Sequence, residues 1–480
     1  MMDPTSEPSA RRRTIAIAGA SGFIGRALVE ALAANDDVIA LARTPGEERQ
    51  GVTWQSADLF NLRDAERVLA GADIAVYLVH SMMPSAALTQ GRFEDLDLLC
   101  ADNFARAAQK NGVGHIVYLG GLMPEAGDEL SRHLESRHEV ERALASRGAK
   151  VTTLRAGLVI GAGGSSFDMM AKLVGRLPFM IGPRWTRTLT QPIALEDVVS
   201  LLVYAIDHPE IAGRAYDVGG PDVVSYADML RMTGRAQGKR TRVITLPVRT
   251  VKLSLLWVSV ITGASQALVK PLVESLSHDM VASDGLTLQK MAGLVPIPLQ
   301  EALARAVRGD PRDASPKPPP ARAARPSPGG RITRRVCSVQ RLDVKAGLTA
   351  REVAAEYVAW LPRFMRPLLR VDVDAAQTCR FYVWPISSPL LVLTLAADRS
   401  SPDRQLFYVT SGLLAGQDTG QRVAATPRPR LEFRAVLGGA QVLAAVHDFI
   451  PRLPWFVYKY TQALVHLRVM RAFARHLVAT

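Results

Sequence analysis

The chain has 480 residues, 48% hydrophobic and 21% charged, with a formal net charge of +13 and three cysteines. A single hydrophobic core stops growing at roughly 250–300 residues, so this length calls for two or three domains, and the composition excludes disorder along most of the chain. Cys100, Cys337 and Cys379 lie far apart in no metal-gripping or disulfide spacing, which points to a reducing cytoplasm and no structural metal.

Residues 1–13 end in Arg11-Arg12-Arg13 with no apolar segment of signal length behind them, so they read as a disordered N-terminal arm and not as a secretion signal. The first strand is Thr14–Ala18, followed by Gly19-Ala-Ser21-Gly22-Phe23-Ile24-Gly25 and a helix over Ile24–Ala34. Each glycine of that turn has a separate physical task. Gly19 permits the tight turn, Gly22 lets the backbone approach a pyrophosphate, and Gly25 lets the helix pack close to the strand. The open N–H groups of Phe23 and Ile24 would then face a phosphate at the positive end of the helix dipole.

Val38–Ala42 is the second strand and ends at Arg43 with no carboxylate beside it. An acidic side chain at this place selects NAD through the ribose 2′-hydroxyl, whereas a cation accommodates the 2′-phosphate of NADP. Arg43 therefore predicts a preference for NADP(H), with NAD(H) as the weaker ligand. Further short strands follow at Val52–Ser56, Ile74–Val79, His115–Leu119 and Val151–Leu154, with a helix over Leu134–Ser146. Strands alternating with helices at this spacing build a doubly wound parallel sheet, an α/β Rossmann-type fold.

Val251–Leu268 is the most apolar stretch, yet Ser, Thr, Gly and Gln dilute it below a bilayer span. It reads first as a buried or substrate-facing helix and second as an interfacial membrane helix. The segment 309–331 is rich in Pro, Ala and Arg and forms a linker between residues 14–308 and a C-terminal unit, 332–480. That unit carries strand-like runs at 380–385, 390–395, 405–410 and 430–435, then a helix over about 458–476 with Tyr460, Ala463, Leu467, Met470, Phe473 and Leu477 on one face. The pattern is α+β, with a sheet gripping a long helix. The positive charge attracts polyanions, but the arginines are scattered and no motif reads nucleic acid, so nucleic acid is not expected as a partner. Peripheral contact with the inner face of the membrane stands beside a plain cytoplasmic location.

The glycine spacing, Asp58-Leu59 after the third strand, Leu78-Val79-His80 closing the fourth, Leu154-Arg-Ala-Gly157, Gln191-Pro-Ile193 with Asp197, and Tyr216-Asp-Val-Gly-Gly220 together resemble the extended or atypical (NmrA-like) short-chain dehydrogenase/reductases over roughly residues 14–308. The resemblance implies that Gly19, Ser21, Gly22, Phe23, Ile24, Gly25 and Arg43 hold the phosphates, that Asp58 and Leu59 contact the adenine end, and that Leu78, Val79 and His80 line the path to the nicotinamide ribose. It also aligns His133 with the family's catalytic tyrosine and Arg137 with its lysine, while the family's serine is replaced in Leu119-Gly120-Gly121. The spacing of four keeps His133 and Arg137 on one helix face. Histidine moves a proton near neutral pH, whereas arginine stays charged and can only orient or stabilise. Leu431-Glu-Phe-Arg434, His447-Asp-Phe-Ile-Pro451 and Leu453-Pro-Trp-Phe-Val-Tyr458 with Gln462 and His466 resemble a domain found fused behind atypical reductases in bacteria, with a layout like helix-grip folds.

Three functions follow as expectations. The first is an NADP(H)-dependent oxidoreductase acting on a small apolar carbonyl or quinone-like compound. The second is an NADP(H)-binding redox sensor or assembly protein without turnover, favoured by the altered pair at His133 and Arg137. The third is a nucleotide-sugar epimerase or dehydratase, which needs the tyrosine that is absent. The oligomeric state is open.

Overall fold

The computed structural model describes residues 11–47, 49–80, 88–124, 131–245, 276, 278–309, 335–345, 347–415 and 428–479, without the side chains at 88, 89 and 459. The chain divides into two units, residues 1–82 with 100–321, and residues 83–99 with 322–480. The expected linker at 309–331 falls almost wholly outside the described residues, and the apolar stretch Val251–Leu268 lies entirely outside them.

The first unit begins with β1 (Thr14–Ala18), α1 (Phe23–Leu32), β2 (Asp37–Ala42), β3 (Val52–Ser56), α2 (Leu62–Val68) and β4 (Ile74–Tyr77). After β5 (Leu88–Gln90), which belongs to the second unit, come α3 (Phe93–Asn111), β6 (His115–Gly121), α4 (Arg132–Ala145) and β7 (Lys150–Ala156). Next are β8 (Val159–Ile160), α5 (Ser165–Arg176), β9 (Phe179–Gly182), β10 (Leu189–Thr190), β11 (Ile193–Ala194) and α6 (Leu195–Asp207). The unit closes with β12 (Ala215–Val218), β13 (Val224–Ser225), α7 (Tyr226–Ala236), β14 (Arg242–Thr245), α8 (Thr287–Met291) and α9 (Leu299–Arg308).

Seven strands form one parallel sheet in the order β12-β7-β6-β4-β1-β2-β3. The central strands are apolar almost throughout because both faces of a parallel sheet are covered. On α1, Leu28, Val29 and Leu32 are buried in the core shared with α6, and each buried side chain of this size contributes about 1.5–3 kcal/mol. The strand order reverses between β1 and β4. A doubly wound sheet binds its ligand outside the carboxyl ends of the strands at such a reversal, so the chain segments at Gly19 and at Leu78 to His80 border the crevice. Of the N-terminal arm expected over residues 1–13, residues 1–10 lie outside the described ones, while Arg12 donates to the carbonyls of Ala33 and Asp36, and Arg13 to the carboxylates of Asp36 and Asp207.

The second unit contains β15 (Val336–Asp343), α10 (Ala350–Phe364), β16 (Leu369–Val373), β17 (Thr378–Val383), β18 (Leu391–Leu395), β19 (Arg404–Ser411), β20 (Arg430–Val436), β21 (Gln441–Phe449), α11 (Trp455–Tyr460) and α12 (Gln462–Ala479). Its sheet runs β16-β17-β18-β19-β20-β21-β15-β5, antiparallel except for the β15–β5 pair. Sequence reading placed 83–99 in the N-terminal domain, and β5 instead adds an edge to this sheet. α10 opens with a capping box between Thr349 and Glu352. α10 and α12 share one apolar core with the sheet, through Tyr357, Trp360, Phe433, Met470, Phe473 and Leu477.

Along β20 the residues alternate: Leu431, Phe433 and Ala435 enter this core, and Arg430, Glu432 and Arg434 take the other face. There Glu432 accepts two bonds from Arg404 at 3.2 and 3.0 Å and pairs also with Arg434. Burial by itself would raise the Glu432 pKa, but the two guanidiniums outweigh it and hold the carboxyl well below its ordinary range. The C-terminal helix departs from expectation in one respect. It breaks at Thr461, and Tyr460, placed on the inner face by sequence spacing, is 66% exposed while Tyr458 is buried. Among the described residues, no helix is long and apolar enough to cross a membrane.

Candidate active site

The turn after β1 is shaped by what its glycines leave out. Gly19 has φ +90°, in the left-handed region, and a Cβ there would stand 3.0 Å from the Leu78 carbonyl oxygen. A Cβ on Gly25 would come within 2.2 Å of the Gly19 carbonyl oxygen and 2.8 Å of the Ala20 Cα. Gly22 serves as the N-cap of α1 without a side-chain cap, and its N–H donates to Gly19 O at 2.8 Å. The first turn of α1 thus begins close against the turn, and no side chain from its cap covers the helix end. This cradle fits the diphosphate of a dinucleotide. The Phe23 ring is turned toward the loop after β8, where a Cβ on Gly161 would meet it at 2.8 Å, which leaves the backbone of Phe23 and Ile24 at the helix end.

Arg43 is exposed just past the end of β2, and Ser21 is exposed in the glycine turn. Asp58 is also exposed; its carboxylate accepts the Phe60 N–H at 3.1 Å, so it shapes the turn after β3. Leu59 is buried, and its carbonyl accepts from Asn103. Leu78 continues the β1–β4 pairing by donating to Ala18 O, and Val79 and His80 follow it along the crevice edge.

α4 starts at Ser131, whose hydroxyl caps the Leu134 N–H, and this sets the helix phase that turns His133 and Arg137 to one side. Arg137 is buried and donates to His80 Nδ1 at 2.9 Å, which makes Nδ1 the unprotonated ring nitrogen of His80. The His80 and His133 rings lie 5.1 Å apart between centroids. The fold therefore brings His80, His133 and Arg137 together from two elements separated by about fifty residues of sequence.

His133 forms part of the wall of a cavity of about 240 Å³. Gly121 at the end of β6 and Ala156 at the end of β7 border it on the sheet side. Much of the remaining wall comes from α5, β9, α7, β14, Leu276 and Met280, and is dominated by Met169, Met170, Met180, Met229 and Met280. Methionine is unbranched and polarisable, and suits an apolar ligand of adjustable shape. Trp185 and Tyr226 add two rings in edge contact at 6.2 Å. Burial pushes the Tyr226 phenol up to about 12, so it keeps its proton. Sequence reading missed this wall, because its methionines lie on three separate elements and at Met280 outside them, and no local spacing links them.

The motif residues farther along act as fasteners. Gln191 donates to Gly220 O and accepts from the Ala282 N–H, and the missing Cβ of Gly219 leaves room for its side chain. Asp197 accepts the Ile297 N–H, and burial raises its pKa. Arg155 forms a two-bond pair with Glu141 at 3.1 and 2.8 Å. Among the described residues no cluster of His, Cys, Asp and Glu is placed to hold a metal; Cys100 and Cys379 are buried and Cys337 half-buried.

Residues 19–173 match the NAD(P)H-binding family model. The auxiliary protein GraX of Staphylococcus aureus is 32% identical over 110 residues, which is 22% of this chain and 36% of GraX. The chain thus spans about a third of that relative's length. A UDP-glucose 4-epimerase of Vibrio cholerae is 24% identical over 268 residues, 50% of this chain and 81% of the epimerase. Among solved structures, an NADPH-dependent quinone oxidoreductase from Escherichia coli has 19% identity, covers 60% of this chain and 98% of its own, and gives a TM-score of 0.48. The first unit thus carries an NAD(P)H-binding domain, matched over residues 19–173, on a Rossmann-type parallel sheet.

Proposed function

We propose that the protein is an NADPH-dependent oxidoreductase acting on an apolar carbonyl or quinone-like compound. The observation that carries this reading is the methionine-lined cavity with His133 in its wall, reaching the carboxyl ends of β6 and β7. When bound, the dinucleotide supplies a hydride. The backbone of Phe23 and Ile24 holds its diphosphate, and Arg43 pairs with the 2′-phosphate. The apolar wall selects the substrate and excludes water from it. His133 delivers the proton that a reduced oxygen needs, because imidazole exchanges protons near neutral pH. Arg137 acts through His80, fixing the ring and its tautomer at the crevice edge.

A nucleotide sugar is a poor match, since its hydroxyls and charges would need polar partners that methionine and leucine walls do not offer. The non-catalytic sensor keeps one observation in its favour: the arginine that replaces the family's lysine is bonded to His80. NADPH oxidation measured across a panel of quinones and apolar aldehydes separates the two. The enzyme reading expects turnover that His133→Gln abolishes while NADPH binding persists. No oxidation with any member of the panel, or unchanged turnover in the variant, removes it.

A further inference from the structure

The C-terminal segment after the last strand has a composition that the reductase reading does not use. After Asp448 the chain contains no acidic residue through Thr480, while Arg452, Lys459, Arg468, Arg471 and Arg475 supply five cations. The inner stripe of α12, Ala463, Met470, Phe473 and Leu477, is buried in the unit's apolar packing. Its outward stripe is Leu464, Arg468, Arg471, Arg475 and Val478, at spacings of three and four. Leu464 is 43% exposed, its neighbour Val465 47% and Val478 60%, and on α11 Phe456 is 68% exposed. Glu356 on α10, which bonds His476 of α12, is also engaged by Arg363. An exposed apolar edge beside a row of cations, without a carboxylate among them, is the pattern of a helix that lies in an anionic lipid interface.

We propose that the α11–α12 face docks the protein on anionic lipid bilayers, with Phe456, Leu464 and Val465 entering the headgroup boundary and Arg468, Arg471 and Arg475 pairing with lipid phosphates. Each cation near such a surface strengthens binding about fivefold, so the three together supply on the order of 100-fold. The partner is a lipid surface because insertion needs only apolar edge and cations in one plane. A protein partner would instead require shape complementarity from fixed pockets.

The test is co-sedimentation of the full chain with vesicles of phosphatidylcholine alone and of phosphatidylcholine mixed with phosphatidylglycerol. Binding is expected only to the mixed vesicles and is expected to fall as salt rises, since the screening length shrinks from about 10 Å at 0.1 M to about 3 Å at 1 M. The triple change Arg468→Gln, Arg471→Gln, Arg475→Gln should weaken it on the order of 100-fold, and Phe456→Ser with Leu464→Ser should abolish it. All five positions are exposed, so unchanged melting and unchanged NADPH binding certify the fold of the variants. Failure of the wild type to sediment with mixed vesicles overturns the proposal. So does sedimentation that neither set of changes weakens, or a solution dimer that Phe456→Ser dissolves, which would make the face a contact between copies. None of these outcomes bears on NADPH oxidation, so this docking and the proposed activity stand or fall separately.

Discussion

Replacing Gly25 by alanine tests the cofactor cradle more sharply than any other single change. The new Cβ would lie 2.2 Å from the Gly19 carbonyl oxygen and must retreat by about 1.2 Å to reach ordinary contact. The three obstructing atoms are all backbone, so no side chain can swing aside, and α1 has to withdraw from the turn. Overpacking of this kind costs about 1–3 kcal/mol of stability. Withdrawal by 1 Å also takes N–H groups at the helix end beyond hydrogen-bond reach of the diphosphate, since such bonds fade past about 3.2 Å. Losing two bonds to a charged group, at about 1.5–3 kcal/mol each, raises the NADPH dissociation constant at least about 100-fold. Gly22→Ala is the companion variant. Among the described residues its Cβ meets only Gly19 O, at 3.0 Å, so a shift of a few tenths of an ångström accommodates it and stability changes little. The methyl nevertheless stands where a phosphate must approach, and affinity falls at least about tenfold. Calorimetric titration with NADPH, paired with thermal melts, reads both effects. A Gly25→Ala protein that binds NADPH as the wild type does, with an unchanged melt, would refute the argument.

Three further outcomes are expected. Arg43→Ala should weaken NADPH binding about tenfold or more while leaving NADH binding unaltered, as loss of one charge-assisted contact to the 2′-phosphate requires; parallel titrations with the two nucleotides check this. Met170→Gln places an amide in the apolar cavity and should raise KM for an apolar substrate about tenfold, the cost of burying an unpaired amide, with NADPH affinity preserved; steady-state kinetics decide it. His447 is buried in the C-terminal sheet, and burial, reinforced by Arg430, holds its pKa well below the usual 6.5. The unfolded chain takes up a proton at that site before the folded one does, so the stabilisation is complete above about pH 6.5 and declines as pH falls, by about 1.4 kcal/mol per pH unit. His466 and His115, also depressed by burial, add slopes of the same sign, so in urea melts between pH 7 and 5 His447→Gln should lower the wild-type slope by about that amount.

The amino-acid sequence alone determined the glycine turn after the first strand and the parallel sheet. Both depend on local rules: glycines 19, 22 and 25 fall between a strand and a helix, and continuous apolar runs mark strands covered on both faces. It also placed His133 and Arg137 on one helix face, because a spacing of four fixes that in any helix. Only the tertiary structure decided that Arg137 reaches His80, and that methionines 169, 170, 180, 229 and 280 converge on one cavity beside His133. The same holds for Leu88–Gln90 joining the C-terminal sheet and for Tyr460 turning outward at the Thr461 break. Such contacts join elements far apart in the chain, and periodicity within one element carries no information about which distant surface it will meet.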